Sequence, residues 1–215
     1  MDERALGIIL RARSLTETSL IVHWLTREHG RLATVAKGAR RPKSPLRGKL
    51  DLFYVADFSF ARSRRSELHA LREVVLRETH PALRGDIDAL QQASYCAALV
   101  EQTTELDTPL GHAFDLMSGL LRHLPESRPY PLTVFAFEAK LLTELGLSPA
   151  ASRSPISGGA RRMLARMIEL DWPGLSPLKP NAAQVDEIRR FLRRFLDSHL
   201  GRVPDQRDAA VGADS

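Results

Sequence analysis

The sequence predicts an α+β chain: a small closed barrel of five antiparallel strands, followed by an all-α helical domain. Three observations carry this. In the first eighty residues the apolar side chains come in short alternating or β-branched runs between turn signals, with no helix-period stretch long enough to need a crossover. From residue 81 the apolar period lengthens to three and four residues. The charge divides at the same place: residues 1–80 carry sixteen Lys/Arg against nine Asp/Glu, and residues 81–215 carry fifteen against seventeen, or about +7 and −2.

The first strand is expected at 5–12, Ala5 to Ala12, ended by the polar break Thr16-Glu17-Thr18. The second is Ser19 to Thr26, and the third runs from Arg31 to Ala36 after a hairpin turn at His29-Gly30. Residues 52–60 alternate aromatics with β-branched residues, and Leu68 to Leu76 complete five strands in about eighty residues. Five short strands close most simply as a barrel of the oligonucleotide-binding (OB) type.

His80-Pro81 punctuates the boundary. Asp86 is expected to cap a helix that puts Ile87, Leu90, Ala93, Ala97 and Val100 on one face. Thr108-Pro109 opens a second helix, with cap and first-turn proline in order. A third starts near Pro131 and stops at Gly146, a fourth spans about 160–170, and the last runs from about Asn181 to Leu200 and ends at Gly201. The expected domains are therefore an OB-fold nucleic-acid-binding domain at 1–80 and a helical partner platform at 81–201. The polar tail, 202–215, is expected to be disordered.

The candidate site is the stretch Lys37-Gly38-Ala39-Arg40-Arg41-Pro42-Lys43-Ser44-Pro45-Leu46-Arg47-Gly48-Lys49, with six Lys/Arg and no acid. Two prolines and two glycines make it a poor helix or central strand, so its cations are expected on an extended loop able to lie along a phosphate backbone. A second cluster, Arg62, Arg64 and Arg65, lies in the turn before the fifth strand, and Arg13, Arg27 and Arg31 extend the surface. For base stacking, Trp24 and Phe53 are the better platform candidates, while alternation places Phe58 and Phe60, and with them Tyr54, toward the core. In the last helix Arg189, Arg190, Arg193 and Arg194 lie opposite the apolar stripe, as a solvated face or an auxiliary contact for phosphate or an acidic peptide.

Catalysis finds little support. The seven histidines show no ligand spacing, no serine sits in a nucleophile elbow, and Gly48-Lys49 lacks the glycines of a phosphate-binding loop. Glu138-Ala139-Lys140 lies mid-helix, where salt bridging or solvation explains it. The single Cys96 excludes an internal disulfide and a cysteine-cluster metal site, and reads as a small buried apolar residue. No apolar run reaches the length of a membrane span and the N-terminus lacks a signal pattern, so a cytoplasmic, non-membrane protein without cofactor is expected.

Thr16-Glu17-Thr18-Ser19-Leu20 after the first strand, Leu25-Thr26 through Gly30-Arg31, and Val35-Ala36-Lys37-Gly38-Ala39-Arg40-Arg41-Pro42-Lys43-Ser44 together resemble the N-terminus of the bacterial RecO family of recombination mediators. Leu145-Gly146-Leu147-Ser148-Pro149 and the Leu200-Gly201 helix end are similar to it as well. The resemblance implies an OB domain followed by a helical domain, and a non-enzymatic DNA repair and recombination protein. Such a protein binds single- and double-stranded DNA, anneals complementary strands and contacts the C-terminal tail of single-strand-binding protein. It acts with RecR to load the RecA recombinase, which implies a place at the nucleoid. By position, Lys37, Arg40, Arg41 and Lys43 would carry the DNA contacts, with Arg47, Lys49, Arg62, Arg64, Arg65, Arg13 and Arg31 around them. Many members carry a four-cysteine zinc motif after the Leu-Gly-x-x-Pro segment; residues 150–160 here hold no cysteine but keep Gly158-Gly159, so a lost zinc lobe and no bound zinc are expected. Two other readings of the charge pattern stay open: an RNA-binding or ribosome-associated OB protein, and an adaptor acting through its helical domain.

Overall fold

A computed structural model of the chain describes residues 2–127, 131–152 and 155–212. It divides into two compact units, Met1–Pro81 with Thr104–Ser118, and Ala82–Thr103 with Gly119–Ser215.

In the first unit β1 (Asp2–Ser14), β2 (Leu20–Thr26), β3 (Gly30–Ala36), β4 (Val55–Ala61) and β5 (Leu68–Glu78) close as a barrel in the order β1-β2-β3-β5-β4. All neighbours are antiparallel except β3 and β5, which pair in parallel through Ala33–Leu68, Thr34–His69 and Val35–Ala70. Alternation decides what fills it: Val22 and Trp24 from β2, Phe58 and Phe60 from β4, and Ile9, Leu32, Leu71 and Val74 form one buried cluster. Trp24 and Phe58 stack at 4.1 Å, and Trp24 Nε1 donates to Thr34 Oγ1 at 2.9 Å, so the indole is both packed and hydrogen-bonded. Gly7 sits against this pair. A Cβ there would lie 2.8 Å from the Phe58 ring, which the closed barrel leaves no room for.

Strand β4 begins at Val55, three residues later than expected, because Phe53 takes φ 63° in a turn that returns the chain to β1 through Phe53 N to Ile9 O, 2.8 Å. The unit also takes in residues 104–118, which the sequence reading assigned to the helical domain. Leu106 forms a parallel bridge to Arg31, and Asp107 N donates to Arg31 O at 2.9 Å. Gly30, at φ 67°, is the residue that permits this: a Cβ would fall 1.9 Å from the Thr108 carbonyl oxygen.

The second unit holds α1 (Ile87–Thr103), α3 (Pro131–Glu144), α4 (Gly158–Glu169) and α5 (Ala182–Leu200), while α2 (Gly111–His123) contributes residues to both units. Asp86 caps α1 as expected, accepting from Asp88 N and Ala89 N at 3.0 Å each, but Ile87 is 65% exposed rather than inward. Helix α2 starts at Gly111 instead of Pro109, since Thr108 and Pro109 are committed to the contact with Gly30. Asn181 and Gln184 form a reciprocal capping box at the start of α5, and Gly201 at φ 72° ends it.

The expectation of a disordered tail is corrected. Residues 202–212 turn back and place a single helical turn, α6 (Arg207–Ala210), among the helices, with Val203, Ala210 and Val211 buried. Arg207, 1% exposed, donates to Glu138 Oε1 at 2.6 Å and Oε2 at 2.9 Å, and the Tyr95 hydroxyl donates to Glu138 Oε1 at 2.6 Å. Gln92 Nε2 donates to Ala210 O at 3.0 Å. The tail is polar because its one long buried side chain is an arginine whose partner is a buried carboxylate, a pairing that composition hides. The last three residues of the expected tail lie outside the described residues.

Candidate nucleic-acid interface

The segment Lys37 to Lys49 leaves β3 as a succession of tight turns, not as the extended loop expected. Arg41 N donates to Gly38 O, Ser44 N to Arg41 O, Arg47 N to Ser44 O and Lys49 N to Leu46 O, at 3.0–3.2 Å. Gly38 at φ 64° and Gly48 at φ 73° supply the left-handed residues these turns need. Two apolar side chains fasten the loop: Ala39 and Leu46 are buried in the barrel core. A third fastening comes from the β1–β2 turn, where Ser19 Oγ accepts from Gly38 N at 3.2 Å and Thr18 O accepts from Arg40 N at 3.0 Å. That turn was legible in the sequence only as a break between strands. Its role in holding the loop follows from strands β1, β2 and β3 ending side by side, with Leu20 opposite both Ser14 and Ala36.

Backbone order leaves the cations on the outside. Lys37, Arg41 and Lys43 are exposed, and among the described residues their side chains make no hydrogen bond or ion pair. Arg40 is exposed with Nη1 on Ser14 Oγ at 3.1 Å, Arg47 reaches its own loop at Pro42 O, 3.4 Å, and Lys49 Nζ donates to Val74 O at 3.1 Å. None of these six meets a carboxylate among the described residues, so their charge is uncompensated. Arg13, exposed at the end of β1, adds to the same rim.

Not all the predicted cations stand free on this surface: Arg31, Arg62 and Arg27 are engaged by other residues of the unit. Arg31 is half-buried and committed: Nε donates to Thr104 Oγ1 at 2.7 Å and Nη2 to Thr104 O. Arg62 donates to Glu3, at 2.8 and 3.0 Å, and to Asp107, and stands 5.6 Å over the Phe60 ring; its hydrogen bonds to Glu3 and then Asp107 raise its pKa above the ordinary arginine value. Both arginines tie residues 104–107 to the barrel. Arg27 likewise pairs with Asp115 and covers Phe114 at 5.3 Å. Arg64 and Arg65 are exposed and unpaired among the described residues, but they lie at the opposite end of the barrel. The 37–49 loop follows β3 and the 62–67 turn follows β4, and these strands run in opposite directions.

The stacking platforms are corrected as well. Trp24 is 0% and Phe53 2% exposed, so neither can meet a base. Phe58 and Phe60 are buried as expected, and Tyr54 is partly buried against the same core. No aromatic side chain of the barrel is exposed among the described residues.

On β2, His23 faces the arginines: burial first, then Arg11, Arg13 and Arg31, push its pKa down to about 4. Its imidazole is therefore neutral near pH 7 despite lying in the most basic part of the chain. In the second unit the α5 arginines are mostly neutralised, Arg190 by Asp186 and Arg193 by Asp197 and Asp208, while Arg189 donates to Gly212 O at 2.8 Å. Arg194 remains exposed beside a small cleft formed with Phe191, Phe195 and His199. Cys96 is fully buried, and its thiol is pushed well up by desolvation. Within 150–160, Arg153 and Ser154 lie outside the described residues; among the described residues no group of three or more His, Cys, Asp or Glu is placed to hold a metal ion. No described helix is long and apolar enough to cross a membrane.

Residues 1–80 match the family model described as Recombination protein O N terminal, and residues 84–160 the one described as Recombination protein O C terminal. A DNA repair protein RecO of Bacillus pumilus is 32% identical over 229 aligned residues, which cover 91% of this chain and 88% of that protein. The DNA repair protein RecO of Anaeromyxobacter dehalogenans is 29% identical, covering 94% and 93%. That of Rhodopirellula baltica is 33% identical over 153 residues, 71% of this chain and 57% of its own length. A closed five-stranded barrel carrying an uncompensated basic loop, helices following it in sequence, and likeness over nine tenths of the chain establish that this protein belongs to the RecO family of DNA repair proteins.

Proposed function

We propose that the chain is a non-enzymatic DNA-binding mediator of recombinational repair, and that the 37–49 loop is where DNA binds. The observation that carries this is a loop with three cations, Lys37, Arg41 and Lys43, that are unpaired among the described residues and whose backbone is held by buried Ala39 and Leu46. A preordered cationic loop binds phosphate with little further loss of conformational entropy. Arg40, Arg47, Lys49 and Arg13 complete the surface, while Arg31 and Arg62 serve the barrel's own structure. With the barrel's aromatics buried, contact runs through phosphates rather than bases, so binding is sequence-tolerant and open to single- and double-stranded DNA.

The family membership supports the finer reading: annealing of complementary strands, contact with RecR and with the C-terminal tail of single-strand-binding protein, and assistance to RecA loading, in the cytoplasm at the nucleoid. Fluorescence anisotropy of a labelled single-stranded oligonucleotide, from low to near-physiological salt, tests the loop. The triple variant Lys37→Ala/Arg40→Ala/Arg41→Ala is expected to lose about 2 from the log–log salt slope, at about 0.7 per contact on single strands. Equal slopes for variant and wild type would move DNA off the loop.

A further inference from the structure

The two cationic ends of the barrel are separated in a way that restricts how they can be used together. The turn at 50–54 and strand β4 lie between the end of the basic segment and the 62–67 turn, and the seven residues of β4 span about 20 Å at 3.3 Å per residue. Two of the paths over the barrel between these ends suit a phosphate backbone poorly. Along β2 and β3 the outward residues Ile21, Leu25 and Ala33 are at most 3% exposed, and Arg31 is pinned to Thr104. Along β1, β4 and β5 the surface is a groove lined by three acids, Glu28, Asp57 and Glu73, and two arginines, Arg4 and Arg77, with Asp57 paired to Arg77 and the acids one in excess. Glu28 and Glu73 face solvent and would repel a strand laid across them.

The 62–67 turn is itself ordered. Ser63 Oγ accepts from Arg65 N at 3.2 Å, Ser66 Oγ accepts from Leu68 N at 2.9 Å, and Arg62 at its start is clamped by Glu3 and Asp107. Arg64 and Arg65 project from it without a partner among the described residues.

We propose that Arg64 and Arg65 form a second phosphate-binding site, which holds a nucleic-acid segment separate from the one on the 37–49 loop, so that one molecule bridges two strands. This rests on the reading of that loop as the first DNA site.

The test uses the full chain and two identical polythymidine oligonucleotides, which cannot pair. One is immobilised and saturated with protein, and capture of the second, labelled one is measured at 0.1 M salt, with the bound protein-to-strand ratio determined alongside. Wild type is expected to capture the second strand at one protein per two strands. Arg64→Ala/Arg65→Ala is expected to keep its affinity for the first strand within about twofold and to lose about 25-fold in capture of the second, the effect at 0.1 M of removing two contacts of slope 0.7 each. Unchanged capture in that variant, or capture only at two proteins per two strands, overturns the proposal. An equal loss for both strands also overturns it, since the ends would then be one site. If Lys37→Ala/Arg41→Ala leaves first-strand binding intact, the loop reading fails instead, and that result is separable because it does not involve the second strand.

Discussion

Arg207 is the residue through which the C-terminal segment holds the helical unit together, and removing it should cost more than any exposed arginine. In Arg207→Ala, Glu138 stays fully buried and loses both hydrogen bonds that a guanidinium supplied, at 2.6 and 2.9 Å; only the Tyr95 hydroxyl remains on it. Burial works against the Arg207 charge, but the Glu138 carboxylate and its hydrogen bonds hold the guanidinium pKa above the ordinary arginine range. Breaking one side of such a pair costs about 3–5 kcal/mol, because a charge is left buried without compensation. With a urea m-value of about 2 kcal/mol/M, the midpoint of the helical transition should fall by roughly 1.5–2.5 M. The far-UV signal at 222 nm, dominated by the helices of this unit, is the readout. Replacing the whole network by apolar groups, Tyr95→Phe/Glu138→Leu/Arg207→Met, should recover most of the loss, since no buried charge remains. A shift under about 1 kcal/mol in Arg207→Ala, or a triple variant as unstable as the single one, would refute the assignment of the tail's stability to this pair.

Three further outcomes are expected. His23 has a folded pKa of about 4 against an ordinary 6.5, so between those values the unfolded chain takes up a proton that the folded chain refuses. Stability should therefore be unaffected above pH 6.5 and fall as pH drops toward 4. For this partly buried ring, whose two nitrogens are buried, the shift is worth at most about 3 kcal/mol and is absent in His23→Gln; an imidazole titrating near 6.5 by NMR would contradict it. Gly30→Ala should lower barrel stability by more than the roughly 1–3 kcal/mol of a strained left-handed residue, because its Cβ also meets the Thr108 carbonyl, and a thermal melt within 2 °C of wild type would count against that. Leu46→Ala should cost about 2–4 kcal/mol of packing and weaken DNA binding although no charge is changed; full affinity in that variant would show that loop order does not matter.

The strands were legible because an inward residue in a barrel must be apolar at every second position, and β2 and β4 obey that rule through Trp24, Phe58 and Phe60. The same rule, applied to Trp24, would have removed it from the stacking platforms, since it shares parity with Val22. Helix ends at Asp86, Asn181 and Gly201 were legible because capping chemistry is local. What escaped was long-range and polar. Arg31 and Arg62 look in sequence like Arg41 or Arg64. Only the fold brings Thr104, Glu3 and Asp107 to the former pair and, among the described residues, no partner to the latter. The tail escaped for the same reason, its arginine meeting a carboxylate 69 positions away.

That division also gives a physical criterion for separating structural arginines from those of the proposed site. A cation whose charge is already satisfied inside the protein gains little from a phosphate, because binding would exchange one partner for another. A cation fixed in place by its backbone, but left without a counter-ion, gains the whole interaction. Among the described residues Lys37, Arg41 and Lys43 are of the second kind, and Ala39 and Leu46 hold their loop from inside, so ordering does not require the cations themselves. On the proposed reading, the basic loop remains rigid and electrostatically unsatisfied until an anionic chain arrives, and its affinity would depend on how firmly Ala39 and Leu46 stay in the barrel core as well as on the number of its charges.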